Sequence, residues 1–132
     1  MKSFSLDAIT RIFMLVGCLL LLPATAVLAS HAENAPEIPI PGMVTVVELG
    51  SVSCVPCKLM LPIIEELKKE YEGRIAIISI DVLEHPGAGQ KYGIMAIPTQ
   101  IFFDANGKEA LRHVGFMEKA AIVAELEKLG VK

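Results

Sequence analysis

The sequence predicts a small α/β domain whose elements follow the order β, α, β, short α, β, β, α. Two apolar, β-branched segments enclose a segment with helical periodicity, which is the pattern of a βαβ unit with a parallel pair of strands. Two further strands are joined by a tight turn, and an amphipathic helix closes the chain. We expect this domain to span residues 43–132.

The first half of the domain supplies the βαβ unit. Met43 to Leu49 (MVTVVEL) is almost continuously apolar, as expected for a strand buried on both faces. Arg74 to Asp81 (RIAIISID) is predicted to be a second buried strand. Between them Gly73 supplies a helix stop, and apolar residues recur at helical spacing: Met60, Ile63, Ile64, Leu67 and Tyr71.

The second half contains shorter elements. A glycine-rich segment leaves room only for a short helix around Gly87 to Tyr92. Thr99 to Asp104 is predicted to be a strand, Ala105 to Gly107 a tight turn, and Lys108 to Gly115 the hairpin partner. Glu118 to Leu129 is predicted to be the closing helix.

The N-terminal residues have the pattern of an export signal. Hydrophobic residues make up 53% of the 132-residue chain, and much of the excess lies in residues 1–29. Lys2 and Arg11 lead into the apolar run Ile12 to Leu22, which Pro23 interrupts before a tail of small residues. Charged, apolar and small-residue regions in this order are typical of a secretory signal peptide.

We expect the signal peptide to be cleaved after Ala29, with Ala26 and Ala32 as alternative sites. Retention as an anchor is the competing interpretation, because residues 12–29 reach the lower limit for spanning a bilayer. The sequence around Cys18 also resembles a lipoprotein processing box, but the apolar run continues beyond it, so we assign Cys18 to the signal peptide. After cleavage the domain is expected to be periplasmic or otherwise extracytoplasmic. If residues 12–29 are retained, the domain is membrane-anchored and faces outside, and these residues are its only membrane contact.

Residues 30–42 contain three prolines and few packing residues, which predicts an extended linker.

Length and composition exclude several classes of protein. The chain after the linker is long enough for only one hydrophobic core. The formal net charge is −3 and no basic run follows the leader, so no nucleic-acid partner is expected.

Candidate chemistry is concentrated at Cys54-Val55-Pro56-Cys57. The Cys-x-x-Cys spacing at the start of a helix brings both sulfurs within bonding reach, and the helix N-terminus favours a thiolate there. Cys54 is predicted to be the nucleophile that forms a mixed disulfide with a partner, and Cys57 the resolving thiol that releases it. The pair is thus predicted to be a redox-active disulfide that needs no cofactor.

Other interpretations of the cysteine pair are weaker. A structural disulfide closing so short a loop contributes little stability. A metal site would need further ligands, but no second cysteine pair is present and His85 and His113 are isolated. Covalent haem attachment requires a histidine at the position that Lys58 occupies. We therefore expect no metal.

Further motifs accompany the cysteine pair. They are the strand leading into CVPCK, Pro62, SID at 79–81, KYGIMAIPT at 91–99 and the NGK turn at 106–108. With these motifs the chain resembles the thioredoxin family over residues 43–130. The resemblance implies a thioredoxin fold, with a four-stranded mixed sheet flanked by helices and without the additional N-terminal strand and helix of longer thioredoxins.

The resemblance also assigns roles outside the cysteine pair. It implies a cis Ile97–Pro98 bond that positions a substrate strand, and it places Val55, Pro56 and Ile97 in contact with the substrate. Glu48 stands where similar thioredoxins have a buried Asp. A carboxyl group in an apolar strand should have a raised pKa and could accept the Cys57 proton through water.

Departures from the family pattern leave the substrate contacts and the proton transfer open, and Val55 in place of the usual glycine leaves the reduction potential open. Ser53 and Gly50 occupy positions of the usual tryptophans, and Ile77 that of the lysine near the buried acid. Pro56 before Cys57 is similar to what reducing members of the family have at this position.

We expect a monomeric reductant that acts on cysteine-containing client proteins and receives electrons from a membrane protein. An oxidase, a disulfide isomerase and a non-catalytic binding module are the alternatives.

Four scattered methionines are predicted to be core residues. They are Met43, Met60, Met95 and Met117.

Overall fold

The computed structural model describes residues 37–132, and its seven elements follow the predicted order. Their observed ends lie within two residues of the bounds predicted for them. The predicted signal peptide and residues 30–36 of the predicted linker lie outside the described residues. The elements are β1 Thr45–Gly50, α1 Val55–Glu70, β2 Ala76–Asp81, α2 Ala88–Lys91, β3 Thr99–Phe103, β4 Glu109–Val114 and α3 Lys119–Lys128.

The four strands form one mixed sheet in the order β2-β1-β3-β4. β1 pairs with β2 in parallel, as the βαβ pattern predicts. β3 pairs antiparallel with both β1 and β4. The predicted four-stranded mixed sheet is therefore confirmed, and β1 lies inside it with a neighbour on each side.

The prediction that the second strand is buried like the first is wrong. β1 is buried along its whole length, whereas β2 is half-buried and Ser79 on it is exposed. β2 lies at the edge of the sheet, where only one side of a strand is covered. An apolar run in the sequence does not distinguish a central strand from an edge strand, because both bury one or more apolar faces.

Helices cover both faces of the sheet. On one face Val46 and Phe102 pack with α1 and α3, through residues such as Ile64 and Leu126. On the other face a smaller cluster packs around Val47, Leu49, Ile101 and Ala88 of α2. Side chains alternate along a strand, so residue 48 of β1 points to the same face as Val46, toward α1.

The end of the predicted linker lies against the domain. The Ile40 N–H donates to Thr45 Oγ1 (3.1 Å), and the Gly42 N–H donates to the Ala105 carbonyl (3.1 Å). Ile38 packs beside the smaller cluster, and its bond to Pro39 is cis. Residues 37–42 contain no helix or strand, but their backbone and side chains are held by the sheet and by the β3–β4 turn.

Within residues 37–132, no helix has both the length and the apolar character needed to cross a membrane.

Candidate redox site

The N-terminus of α1 positions Cys54. This residue is the N-cap, with extended backbone angles (φ −91°, ψ 123°), and its Sγ accepts the Cys57 N–H at 3.3 Å. The first turn carries no acidic side chain that could oppose a thiolate. An N–H donor and the positive end of the helix dipole both favour the ionised form of a sulfur at this position.

The two cysteines form a disulfide, with their Cα atoms 5.2 Å apart. Their surroundings differ: Cys57 is 2% exposed, whereas Cys54 is half-buried. A partner can therefore reach Cys54 more easily than Cys57, as the positions of the two residues in the motif predict. The assignment of Cys54 as nucleophile and Cys57 as resolving thiol remains a prediction.

The start of β3 lies beside the disulfide. The Ile97–Pro98 bond is cis, as the resemblance implies. Cys54 Sγ is 4.0 Å from the Ile97 carbonyl oxygen. Pro98 is buried, and its carbonyl accepts the Gly115 N–H at 2.8 Å. The chain segment predicted to bind a substrate strand is thus next to the sulfur predicted to attack it.

Apolar side chains near the disulfide are exposed. Val55 is 71% exposed, Pro56 is also exposed, and Ile97 is half-buried. The prediction that Met95 is a core residue is wrong, because its side chain is fully exposed two residues before Ile97. Met95 lies in the irregular segment between α2 and β3, where no periodicity indicates which residues point inward. By contrast, Met60 and Met117 are buried as predicted.

Glu48 is buried in the middle of β1, with 3% of its surface exposed. Burial removes water from the carboxylate and raises the pKa of Glu48 to about 7. The positive charge of Lys68 on α1 opposes this rise in pKa, and the negative charge of Asp81 on β2 adds to it. The carboxyl group can therefore exist in both protonation states near neutral pH.

Gly50 leaves the space in which Glu48 and Cys57 approach each other. A Cβ atom at Gly50 would lie 2.7 Å from Glu48 Oε1 and 3.4 Å from Cys57 Sγ. The carboxyl oxygen and the sulfur are consequently at most about 6 Å apart, a gap that one bridging water can span. Any side chain at position 50 would occupy this gap.

A cleft of ≈ 260 Å³ opens onto the same atoms. Its inner wall includes Glu48, Gly50 and Cys57, and its outer wall includes the exposed residues Glu84 and His85. A cleft of this volume holds several water molecules. The cleft therefore connects the region of the buried carboxyl group with solvent along the β2 side of the site.

Asp81 at the end of β2 holds the loop that leads into the cysteine motif. Its Oδ2 accepts the Val52 N–H at 3.1 Å, and its Oδ1 accepts the Leu83 N–H at 2.8 Å. Hydrogen bonds to the charged form lower the pKa of Asp81, and the one from Leu83 contributes most. An ionised Asp81 thus connects the edge strand β2 to the loop between β1 and α1 that leads into the cysteine motif.

Lys68, Gly50 and Gln100 belong to this site but were not predicted from the sequence. Lys68 lies three turns beyond the motif on α1, and Gln100 is the cross-strand partner of Glu48. The amide side chain in the largely apolar strand TQIFF is the signal that could have pointed to Gln100. Among residues 37–132, no group of three His, Cys, Asp or Glu side chains is placed to hold a metal ion.

The mixed sheet, the helices on both faces and the disulfide at a helix N-terminus together define a dithiol redox protein of the thioredoxin fold. The family model for thioredoxin matches residues 29–128. The chain belongs to the thioredoxin family. This membership and the Cys-x-x-Cys pair support thiol–disulfide oxidoreductase activity.

Two relatives illustrate the similarity. Thioredoxin M-type, chloroplastic, from Spinacia oleracea is 37% identical over 100 residues, which are 76% of this chain and 53% of that protein. Thioredoxin from Staphylococcus aureus is 39% identical over 85 residues, which are 64% of this chain and 81% of that protein. The chain thus spans about half the length of the spinach relative.

Proposed function

We propose that this protein is an exported reductant that transfers two electrons from a Cys54–Cys57 dithiol to disulfides in client proteins. The observation that carries the proposal is the different environment of the two sulfurs. Cys54 is half-buried at a helix N-terminus, while Cys57 is buried and shares the Gly50 gap with Glu48. One sulfur is accessible for attack, and the other is kept next to a proton acceptor.

The reaction has two displacement steps. The Cys54 thiolate attacks one sulfur of the client disulfide, which forms a mixed disulfide and releases the first client thiolate. The Cys57 thiol then loses its proton and attacks Cys54 Sγ, which forms the Cys54–Cys57 disulfide and releases the second client thiolate. The client gains two electrons, and its thiolates take protons from water.

Glu48 is the proposed acceptor of the Cys57 proton. Its pKa of about 7 suits a general base near neutral pH, since the carboxylate is present but still basic enough to take a proton. The proton passes through a water in the gap at Gly50 and leaves by the cleft beside Glu84. A buried thiol otherwise ionises with difficulty, because burial favours its neutral form.

The backbone of Ile97 and the apolar side chains around Cys54 are proposed to hold the client. The Ile97 carbonyl, 4.0 Å from Cys54 Sγ, can accept a hydrogen bond from an extended client segment. Val55 and Pro56 present apolar surface beside the sulfur. Thioredoxins act on cysteine-containing proteins, and we propose the same substrate class for this chain.

The signal-peptide pattern of residues 1–29 supports the proposal of export, and the family match begins at residue 29, where this pattern ends. A reductant outside the cytoplasm must be re-reduced, so we propose a membrane protein with a dithiol as its electron donor. Apocytochrome thiols awaiting haem are one candidate class of client.

The reduction potential tests the direction of electron flow. The Cys54–Cys57 couple is equilibrated with glutathione, and the oxidised fraction is measured by thiol alkylation and mass spectrometry. We expect a potential near the value of about −270 mV known for thioredoxin. A potential near about −120 mV, as strong periplasmic oxidants have, would overturn the reductant proposal in favour of an oxidase.

Trapping tests the catalytic roles of the cysteines. Cys57→Ser should accumulate disulfide-linked clients through Cys54, because the resolving thiol is missing. Cys54→Ser is the matched control and should trap none. If the Cys54→Ser, Cys57→Ser double variant kept its partners, the protein would be a binding module and the catalytic proposal would be wrong.

Export is tested on protein from its native host. Intact mass and N-terminal sequencing should identify a chain that begins at Ser30, recovered from the extracytoplasmic fraction. A chain that begins at Met1 in the membrane fraction would show a retained anchor. A chain that begins at a lipidated Cys18 would show a lipoprotein, and a cytoplasmic full-length chain would contradict export.

A further inference from the structure

A row of polar residues crosses the sheet at the level of Glu48. Glu48 pairs with Ser79 of β2 on one side and with Gln100 of β3 on the other. Gln100 pairs in turn with His113 of β4. Directly paired residues point to the same face of a sheet, so all four side chains lie on the face covered by α1.

Gln100 is the unexplained member of this row. It is fully buried, and neither its Nε2 nor its Oε1 has a hydrogen-bond partner among the residues that the structure describes. Buried polar side-chain atoms nearly always have such a partner, because they otherwise lose their hydrogen bonds to water. Its neighbours along β3 have no buried polar side-chain atom without a partner. Ile101 and Phe102 are apolar, and Thr99 Oγ1 donates to the Ala96 carbonyl at 2.7 Å.

We propose that Gln100 is a positioning residue for Glu48, whose carboxyl group it hydrogen-bonds and holds toward Cys57. The proposal rests on the proposed role of Glu48 as proton acceptor. Side chains of directly paired residues start about 5 Å apart, a distance that the flexible chains of Glu and Gln can close. The structure records no bond between the two side chains, so its formation requires a rotation of one of them.

An amide is suited to a neighbour that changes its protonation state. The Gln100 Nε2–H can donate to the Glu48 carboxylate, and Oε1 can accept from the protonated carboxyl group. An ionised side chain at position 100 would serve one state better than the other. The bond to the carboxylate is charge-assisted and therefore stronger, so the amide should favour the ionised form of Glu48.

The other groups that act on Glu48 approach it from different directions. Lys68 and Cys57 belong to α1, and Asp81 belongs to β2. Lys68 also forms an ion pair with Glu65 at 2.8 Å. Gln100 is thus the polar group on the β3 side of Glu48, opposite the cleft that opens on the β2 side.

The groups beyond Gln100 already have partners. His113 Nε2 lies 3.2 Å from the Phe116 carbonyl oxygen. Lys119 of α3 forms ion pairs with Glu66 and Glu70 of α1. Of the two cross-strand neighbours of Gln100, Glu48 is the one whose carboxyl group can accept from the amide Nε2–H and, when protonated, donate to Oε1.

The test measures the resolving step as a function of pH. A mixed disulfide is preformed on Cys54 with a small aromatic thiol, and release of that thiol is followed in a single turnover. Gln100→Met keeps the length of the side chain but removes the amide. Loss of the donor should raise the pH midpoint of release by about 0.5–1 unit, because the Glu48 carboxylate is then less stabilised.

Controls separate this effect from a change in packing. Phe102→Leu, two residues further along the same face of β3, should lower stability and leave the midpoint unchanged. Gln100→Leu should repeat the shift seen for Gln100→Met. The wild-type protein gives a measurement that requires no variant: in the reduced state the Gln100 side-chain amide NMR signals should titrate with the same midpoint as the Glu48 carboxyl carbon.

The results distinguish this inference from the function on which it rests. An unchanged midpoint in both Gln100 variants, together with amide signals that do not titrate, would overturn the role of Gln100 alone. If the Glu48→Gln variant also released the thiol with the same pH profile as the wild type, the proposed role of Glu48 as proton acceptor would be wrong. If no thiol were released from the mixed disulfide, the proposed catalytic cycle would fail.

Discussion

Glu48 Oε1 and the Cys57 sulfur face the same gap, which exists because residue 50 has no side chain. Glu48 and Gly50 belong to the central strand β1, and Cys57 belongs to the first turn of α1. The short loop between these two elements brings the carboxyl group of the strand to the thiol of the helix. This relationship leads to the first three predictions below.

The first prediction concerns the pH dependence of stability. The pKa of Glu48 is raised from 4.5 to about 7, so the folded protein binds this proton more tightly than the unfolded chain. The contribution of Glu48 is therefore most favourable below pH 4.5 and is lost as the pH rises through about 7. Glu48→Gln removes it, so the variant should gain about 2–3 kcal/mol relative to wild type between pH 5 and pH 8.

Urea unfolding of the oxidised proteins at both pH values provides the measurement. The difference between variant and wild type isolates Glu48, because the other titrating groups are common to both chains. A constant difference between pH 5 and pH 8 would contradict a raised pKa.

The second prediction concerns the rate of the resolving step. Glu48→Gln leaves a group that cannot accept the Cys57 proton, so release of a mixed disulfide near pH 7 should slow by roughly 10- to 100-fold. The attack of Cys54 on a small disulfide should keep its rate, since its thiolate is stabilised by the Cys57 N–H and the helix N-terminus. Stopped-flow kinetics resolves the two steps, and equal slowing of both would argue against a relay.

The third prediction concerns Gly50→Ala. The new Cβ would lie 2.7 Å from Glu48 Oε1, which is closer than such atoms approach, so the carboxyl group must move. We expect a loss of about 1–3 kcal/mol of stability from overpacking, together with slower release of the mixed disulfide. Unfolding curves and single-turnover kinetics measure these two effects.

Gly87→Ala is the matched control for this substitution. Its new Cβ would meet no atom within 4 Å, and Gly87 has an ordinary φ of −76°. It should leave the kinetics unchanged and should not lower stability, since Gly→Ala at a compatible φ adds about 0.4–1 kcal/mol. If Gly50→Ala behaved like Gly87→Ala, the gap would have no functional importance.

The fourth prediction concerns Met95, which precedes Ile97 by two residues and has a fully exposed side chain. If clients bind across this surface, Met95→Ser should lower kcat/KM for a protein disulfide by roughly 3- to 10-fold through lost apolar contact. The rate with a small aromatic disulfide should not change, because such a substrate contacts only the sulfur and its immediate surroundings. A parallel loss with both substrates would place the effect in the chemistry rather than in client binding.

Local pattern was sufficient to predict the elements of this domain. Strand, helix and turn periodicities give the order of all seven, because each depends on neighbours within a few residues. The Cys-x-x-Cys motif likewise indicates the redox pair, since its spacing and its position at a helix start are local. The resemblance added the cis bond at Pro98, which no periodicity reveals.

Strand order decided what the sequence left open. β2 is an edge strand and β1 a central one, although both are apolar in sequence. The central position buries Glu48 and thereby raises its pKa, and the β1–β3 register places Gln100 beside it. Burial and cross-strand proximity depend on residues far apart in the chain, whereas periodicity reports only near neighbours. The sequence by itself therefore indicated the cysteine pair and Glu48 as candidate groups, and only the tertiary structure decided that Glu48 and Cys57 meet at Gly50.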